Sequence, residues 1–300
     1  MMNVMVLGSG GSVPSPIRNL PAVAVQIEGD IVLFDCGEGT QRQMMKLGMS
    51  YSKVQAVFIS HLHLDHFLGV FGLSETLRLN GRTEPLPIFA PRGASALFHA
   101  FRKFGILQVH EFDAADLSSG KPLFTLHSHD IHAFEVDHGP NLDAFGFVVR
   151  ERPRRRFYEA KAKKAGLAGP LFKQIEKEGS LMLKGKKLRL EDVTYVQEGL
   201  SLAYSGDTVH CKNLATAARG VDLLLHECTF DDSLREAADE KYHSTASDAA
   251  NAAKEAHAKR LVLLHASGRY GLDDPVLLGQ ARKIFKNTEL ASDGWSVELK

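Results

Sequence analysis

The chain has 300 residues, and its 36 Lys and Arg balance 36 Asp and Glu. Zero formal charge excludes a protein that coats nucleic acid with its whole surface, which needs an extended positive field, but it leaves room for a local basic patch. At 44% hydrophobic and 24% charged, the composition excludes a disordered chain and suffices for one large domain or two ordinary ones.

In chain order, short β-branched or apolar runs predict strands at 4–7, 23–27, 31–34, 54–59, 87–89, 134–136 and 145–149. Further runs follow at 200–204, 221–225 and 261–264. Helix-like stretches lie at 39–47, 93–104 and 247–258, the last rich in Ala with Ser247 at the expected N-cap. Strands and helices interleaved in this way predict a layered α/β fold, and the closely spaced early strands predict a mixed sheet. No apolar run approaches the roughly 18 residues of a membrane span. No basic leader precedes the run at 4–7, so neither a secretory signal nor a membrane association is expected. Cys36, Cys211 and Cys228 are scattered and form no CxxC, which disfavours a thiolate zinc ribbon and fits a reducing cytoplasm.

One segment departs in composition. Residues 150–189 carry ten more basic than acidic residues, so the remainder carries an equal acidic excess. Gly166, Gly169-Pro170, Gly179 and Gly185 punctuate it into short pieces, as expected of an insertion in the main domain. Arg154-Arg155-Arg156 leads into Phe157-Tyr158, and Lys161, Lys163 and Lys164 follow, a mixture suited to contacting an RNA backbone.

Histidine is abundant, at 14, and it clusters. His61-Leu62-His63-Leu64-Asp65-His66 follows the strand predicted at 54–59, whose end would deliver these side chains to the sheet edge where ligands bind. Residues two apart in an extended segment share a face, so His61 and His63 can reach one ion, and a turn can aim Asp65 and His66 at a second. Burying four such side chains unpaired would be costly, which favours a metal site over packing. The pattern recurs at other strand ends, with Asp137-His138, Asp207, His226-Glu227 and His265. Converging there, they could hold two zinc ions that activate a water, with Asp207 as the natural bridge because a carboxylate has two oxygens to share.

These residues resemble the ligand set of the metallo-β-lactamase superfamily, and other stretches narrow the resemblance to the ribonuclease Z (tRNase Z) family. Phe34-Asp35-Cys36-Gly37-Glu38-Gly39-Thr40-Gln41-Arg42-Gln43 resembles that family's signature upstream of the histidine motif. Leu225-His226-Glu227-Cys228-Thr229 resembles its His-Glu-Ala-Thr loop, and His243-Ser244-Thr245-Ala246 its His-Ser-Thr loop. Residues 265–270, with Arg269, resemble its final His-…-Arg-Tyr motif, and 158–179, with Gly169-Pro170-Leu171, resembles the protruding arm that grips the tRNA elbow. The resemblance implies a single hydrolase domain over 1–300, with a four-layered αβ/βα fold, mixed sheets and a basic tRNA-binding arm inserted at about 150–189. It implies His61, His63 and His138 on one zinc ion, Asp65, His66 and His265 on a second, and Asp207 between them. Asp65 would serve as base, and Glu227 with His243 would pass a proton to the leaving 3′-oxygen of a precursor tRNA. The resemblance to the family's short form implies a homodimer, and manganese or iron could use the same donors.

Two other readings share these residues. One is a phosphodiesterase acting on small or cyclic phosphodiesters, whose arm serves dimerisation only. The other is a catalytically silent RNA-binding relative. Leu64, Cys228 and Gly268 depart from the residues usual in the family at those positions, which bears on substrate fit and removes no ligand. His127-Ser128-His129-Asp130, with His132, imitates a metal motif but is read as a polar strand face. Gly8-Ser9-Gly10-Gly11-Ser12 falls short of GxGxxG and is read as a turn beside the metal site, with Asp35 supporting ligands from behind.

Overall fold

The strands Leu223–Glu227 and Leu261–Leu264 bury every residue, which a strand does only when both faces of its sheet are covered. The computed structural model describes residues 1–99, 106–183 and 185–300. They form two compact units, Met1–Arg150 with Leu200–Lys300, and Glu151–Gly199.

The larger unit holds two seven-stranded sheets. The first runs from Ser296–Leu299 through Met2–Gly8, Ala22–Ile27, Asp30–Phe34, Val54–Phe58 and Leu86–Pro91 to Leu107–Phe112. Its first four strands are antiparallel neighbours and its last four parallel ones. The second runs from Thr288–Leu290 through Leu261–Leu264, Leu223–Glu227, Ser201–Tyr204, Phe145–Glu151 and His129–Glu135 to Phe124–Leu126. Both sheets are mixed, as the spacing of the strands predicts.

Apolar burial falls into three layers. Phe34, Phe58, Phe147 and Tyr204 lead the core between the sheets. Helices Thr40–Lys46, Gly69–Leu79 and Ala94–Phe98 cover the outer face of the first sheet. Lys212–Ala217, Ala246–Glu255 and Pro275–Ile284 cover the second. The order helices, sheet, sheet, helices is the αβ/βα sandwich of the metallo-β-lactamase fold. In Ala246–Glu255 the buried positions are all Ala, so no bulky side chain separates the helix from the sheet.

The structure differs from the sequence reading in several places. Thr245, not Ser247, caps Ala246–Glu255: its hydroxyl accepts from Asp248 N in a reciprocal box with the Asp248 carboxylate. Ser247 lies inside the first turn and donates to Asp232 Oδ2 at 2.5 Å. Of the helix expected at 93–104, the structure holds Ala94–Phe98, while 100–105 lie outside the described residues, as does Lys184. His127 and Ser128 form the turn between Phe124–Leu126 and His129–Glu135, and His129 and His132 do not alternate onto one face. His127 reaches Asp30 Oδ2 at 3.0 Å instead.

The smaller unit has its own core of Ala162, Leu167, Ile175, Leu181 and Val193. Among the described residues it contains the helices Glu159–Ala165, Leu171–Glu178 and the short Leu190–Val193, and the strand pair Ser180–Leu183 with Lys186–Arg189. Arg154–Phe157 pairs with Thr194–Gln197, which carries the unit ten residues beyond the boundary expected at 189. Composition could not mark that end, because Thr-Tyr-Val-Gln contains no basic residue.

Phe147 stacks on Phe34 at 5.4 Å between the sheets. Phe147→Ala is expected to lower unfolding free energy by about 3–5 kcal/mol, read as a shifted urea midpoint with an unchanged slope.

Candidate active site

Strand Val54–Phe58 ends beside Leu86–Pro91, and the chain then turns through Ser60 and His61 into the short helix Leu64–Phe67. That turn places His61 and His66 in the interior, Asp65 partly covered and His63 exposed at the rim. His138 follows His129–Glu135, Asp207 follows Ser201–Tyr204, Glu227 ends Leu223–Glu227 and His265 follows Leu261–Leu264. Neighbouring strand ends therefore meet. His61, His63 and His138 form one group whose donor atoms lie within 4.8 Å of one another. Asp65, His66 and His265 form another, and Asp207 is grouped with His61 and His66.

Asp207 Oδ2 is the centre. His66 Nε2 and His265 Nε2 lie 3.3 Å from it, His61 Nε2 3.8 Å and His138 Nε2 3.9 Å. The opposite nitrogens are fixed from behind. His66 Nδ1 meets Asp35 Oδ2 at 2.7 Å, His138 Nδ1 the Tyr242 carbonyl at 2.7 Å and His265 Nδ1 Thr229 Oγ1 at 2.9 Å. His61 Nδ1 meets Ser60 Oγ at 3.0 Å. Such contacts keep the proton on Nδ1 and turn the Nε2 lone pair inward.

That arrangement fits a metal. Nε2 of His61, His66 and His265, and Oδ1 of Asp207, are buried without a hydrogen-bond partner among the described residues. Leaving such atoms unsatisfied is costly unless a cation accepts their lone pairs. The carboxylates also draw positive charge into the cluster, whether carried by a proton or by a metal ion. Burial opposes protonation of His66, but Asp207 and Asp35 raise it well above the ordinary imidazole range. Burial would raise the Asp207 carboxyl, but His265 and His66 hold it well below its usual value.

A second cluster adjoins the first. His243 Nδ1 donates to Glu227 Oε1 at 2.9 Å. Glu227 also accepts from Thr208 N at 3.1 Å, Thr229 N at 3.1 Å and the Thr229 hydroxyl at 2.8 Å. Burial would lower His243, but the charge and hydrogen bond of Glu227 push it up to about 9. Burial would raise Glu227, but His243 holds it below the usual carboxyl value. His243 also lines a cleft of about 240 Å³ with Gly11, Ser12, Thr229, Phe230, Lys241 and Arg269. The Arg269 guanidinium lies 5.4 Å from the Phe230 ring and the Lys241 ammonium 6.0 Å, so two cations stand at the cleft. Lys241 and Phe230 carried no sequence signal. Gly8–Ser12 did, and Gly11 explains why glycine is needed: a Cβ there would sit 2.3 Å from the His265 ring.

The other residues singled out in the sequence are placed as follows. Leu64 is 61% exposed, Cys228 is fully buried and Gly268 lines the cleft. Arg154, Arg155, Arg156, Lys161, Lys163, Lys164, Gly169 and Pro170 are exposed and belong to the separate Glu151–Gly199 unit. Several of these cations have partners there: Arg154 meets Glu151 at 2.8 Å, Arg156 meets Gln197 at 3.0 Å, and Lys161 lies 4.2 Å over the Tyr158 ring.

A sandwich of two mixed sheets with a buried His/Asp cluster at its strand ends defines a metal-dependent hydrolase of the metallo-β-lactamase superfamily. The family description "Beta-lactamase superfamily domain" matches residues 31–160 and 190–266. Over its whole length the chain is 37% identical to a ribonuclease Z of Methanosarcina mazei and 38% identical to one of Myxococcus xanthus, covering 98% of each. The crystal structure of the human short-form tRNase Z is 28% identical, with a TM-score of 0.71 over 99% of both chains. The chain belongs to the ribonuclease Z family. Among the described residues no helix is long and apolar enough to cross a membrane.

Asp35 Oδ2 accepts from His66 Nδ1, Ser60 Oγ at 2.9 Å and Tyr204 OH at 2.6 Å, while Oδ1 accepts from Ser60 N at 2.7 Å. Asp35→Asn keeps the shape but places an amide N–H₂ against these donors. The expected result is a folded protein whose affinity for one of two divalent ions falls about 10–100-fold, measured by titration calorimetry.

Proposed function

We propose that this chain is an endoribonuclease that removes 3′ trailers from precursor tRNA, acting in the cytoplasm as a homodimer with two zinc ions per chain. What carries the reading is full-length identity of 37% to a ribonuclease Z together with the buried His/Asp cluster. His61, His63 and His138 would hold one ion, Asp65, His66 and His265 the other, and Asp207 would face both. When bound, such ions would acidify a water and neutralise phosphoryl oxygens, and manganese or iron could occupy the same donors.

The chain's own residues supply the remaining chemistry. Asp65, with its Oδ2 held by the Ser12 N–H at 2.8 Å, accepts a proton from the attacking water. The bond from phosphorus to the 3′-oxygen of the last tRNA nucleotide breaks, and His243 gives that oxygen its Nε2 proton. Glu227 keeps His243 oriented through Nδ1 and stabilises the imidazolium before transfer. The products are a tRNA 3′-hydroxyl and a trailer with a 5′-phosphate. Arg269 and Lys241 attract the phosphate backbone to the cleft. The Glu151–Gly199 unit serves as the exosite: Arg154, Arg155, Arg156, Lys161, Lys163 and Lys164 contact tRNA phosphates beside the Gly169-Pro170 turn, a grip that weakens steeply with salt.

Two measurements test this. His243→Ala is expected to lower kcat on a 3′-extended tRNA by about 10²–10⁴-fold with KM little changed. Its loss on bis(p-nitrophenyl) phosphate should be far smaller, because p-nitrophenolate leaves without a proton. Equal losses on both substrates would remove His243 from the acid role. Arg150 pairs with Ser201 across neighbouring strands, so 151–199 can be replaced by a short glycine-rich turn. That excision is expected to weaken tRNA cleavage far more than hydrolysis of the small diester. Preference for a cyclic nucleotide over precursor tRNA would instead point to a small-molecule phosphodiesterase.

A further inference from the structure

The segment between Met2–Gly8 and Ala22–Ile27 touches the metal cluster at its tip. Ser12 N donates to Asp65 Oδ2 at 2.8 Å, and Gly11 lies against the His265 ring. The tip has little else to hold it. Gly11 N reaches the Ala266 carbonyl only at 3.4 Å, and Ser12 sits at φ 62, a left-handed conformation that a non-glycine residue keeps only when its surroundings impose it.

The base of the loop is held more firmly, by the hydrogen bond from Gly10 N to the Asn19 carbonyl at 3.0 Å and by one side chain far away in sequence. Asp293 lies in the turn that carries the chain from Thr288–Leu290, at an edge of the second sheet, to Ser296–Leu299, at an edge of the first. Its Oδ1 accepts from Ser9 N at 3.0 Å and Ser9 Oγ at 2.8 Å. Its Oδ2 accepts from Asn19 N at 2.8 Å and Gln43 Nε2 at 2.8 Å. One carboxylate thus takes the amides at both ends of the loop. Arg18, 2% exposed, reinforces the closure by donating to Ser9 Oγ at 2.8 Å, to the Ala291 carbonyl at 2.7 Å and to the Gly271 carbonyl at 2.9 Å.

We propose that Asp293 is a positioning residue for the reaction: it clasps the two ends of the 9–19 loop and so delivers the Ser12 N–H onto Asp65. The clasp acts through Asp65, and the inference rests on the reading of Asp65 as metal-holding base. Its four accepted hydrogen bonds need an acceptor-only group, so the amide of Asn cannot replace it. Asp293 accepts from Ser9, Asn19 and Gln43, none of which belongs to the His/Asp cluster, and this separates its role from that of a catalytic residue.

The test compares Asp293→Asn, Asp65→Ala and the double variant in the full-length chain. Mn²⁺ affinity would be measured by calorimetry, cleavage kinetics on both substrates, and folding by thermal melting. Asp293→Asn is expected to weaken one of two Mn²⁺ ions and to lower kcat, each by about 10–100-fold, with KM for tRNA within about threefold of the parent. In the Asp65→Ala background the same change should weaken Mn²⁺ no further, because the residue it works through is gone. A lower melting temperature with kcat and Mn²⁺ affinity unchanged would overturn the proposal, as would full additivity in the double variant. Asp65→Ala with parental activity would instead overturn the reading of Asp65. Should Asp293→Asn not fold, Ser9→Ala removes one of its four bonds, with an expected loss of about fivefold in the same two quantities; no loss there would also count against the clasp.

Discussion

Five imidazole nitrogens within 3.9 Å of one buried carboxylate oxygen, Asp207 Oδ2, impose the constraint on which the rest of the molecule depends. Removing so many lone pairs and a negative charge from water is strongly unfavourable unless a cation replaces the solvent. Nothing local could hold the side chains in that arrangement. His61, His138, Asp207 and His265 come from four different strand ends, so the cluster exists only while both sheets stay packed. The aromatic core of Phe34, Phe58, Phe147 and Tyr204 keeps them so. Tyr204 belongs to both systems, since its ring stacks on Phe34 at 5.9 Å while its hydroxyl donates to Asp35.

Around the cluster lies a shell of groups whose work is orientation. Asp35, Thr229 and the Tyr242 carbonyl each hold a histidine by its outer nitrogen. Thr229 also joins the two halves of the site, because its hydroxyl donates to Glu227 while meeting His265 Nδ1. His265 and the Glu227–His243 pair therefore share one hydroxyl. A change at either is felt at the other through a single hydrogen-bond chain.

The zero net charge of the sequence is the sum of two opposed regions. Residues 150–189 have a basic excess that the acidic remainder cancels, and the remainder contains the carboxylates of the cluster. The basic residues fold into a unit with a separate core. A basic excess concentrated in one unit needs no extended positive surface elsewhere, so neutrality overall is compatible with a nucleic-acid substrate.

Every interior strand of both sheets except His129–Glu135, of which only the last two residues fell in a predicted run, was legible as an apolar run, whereas the strands at the four sheet edges, Leu107–Phe112, Phe124–Leu126, Thr288–Leu290 and Ser296–Leu299, were not. Interior strands are covered on both faces and read as continuous hydrophobicity. Edge strands are short or half exposed, as the pattern of Leu107–Phe112 illustrates, and lose that signal. The histidine motif was legible because chemistry demands residue types that packing would reject. The end of the arm was not, since Thr194–Gln197 is defined by its pairing with Arg154–Phe157 and not by composition. Residue identity and local spacing were thus enough to announce a metal-dependent chemistry and a layered α/β frame. Which atoms meet depended on long-range folding: Asp207 with His265, Thr229 with two histidines, and Asp293 with both ends of the loop at Ser9 and Asn19. These contacts join residues up to 284 positions apart, a separation at which no local pattern in the chain constrains distance.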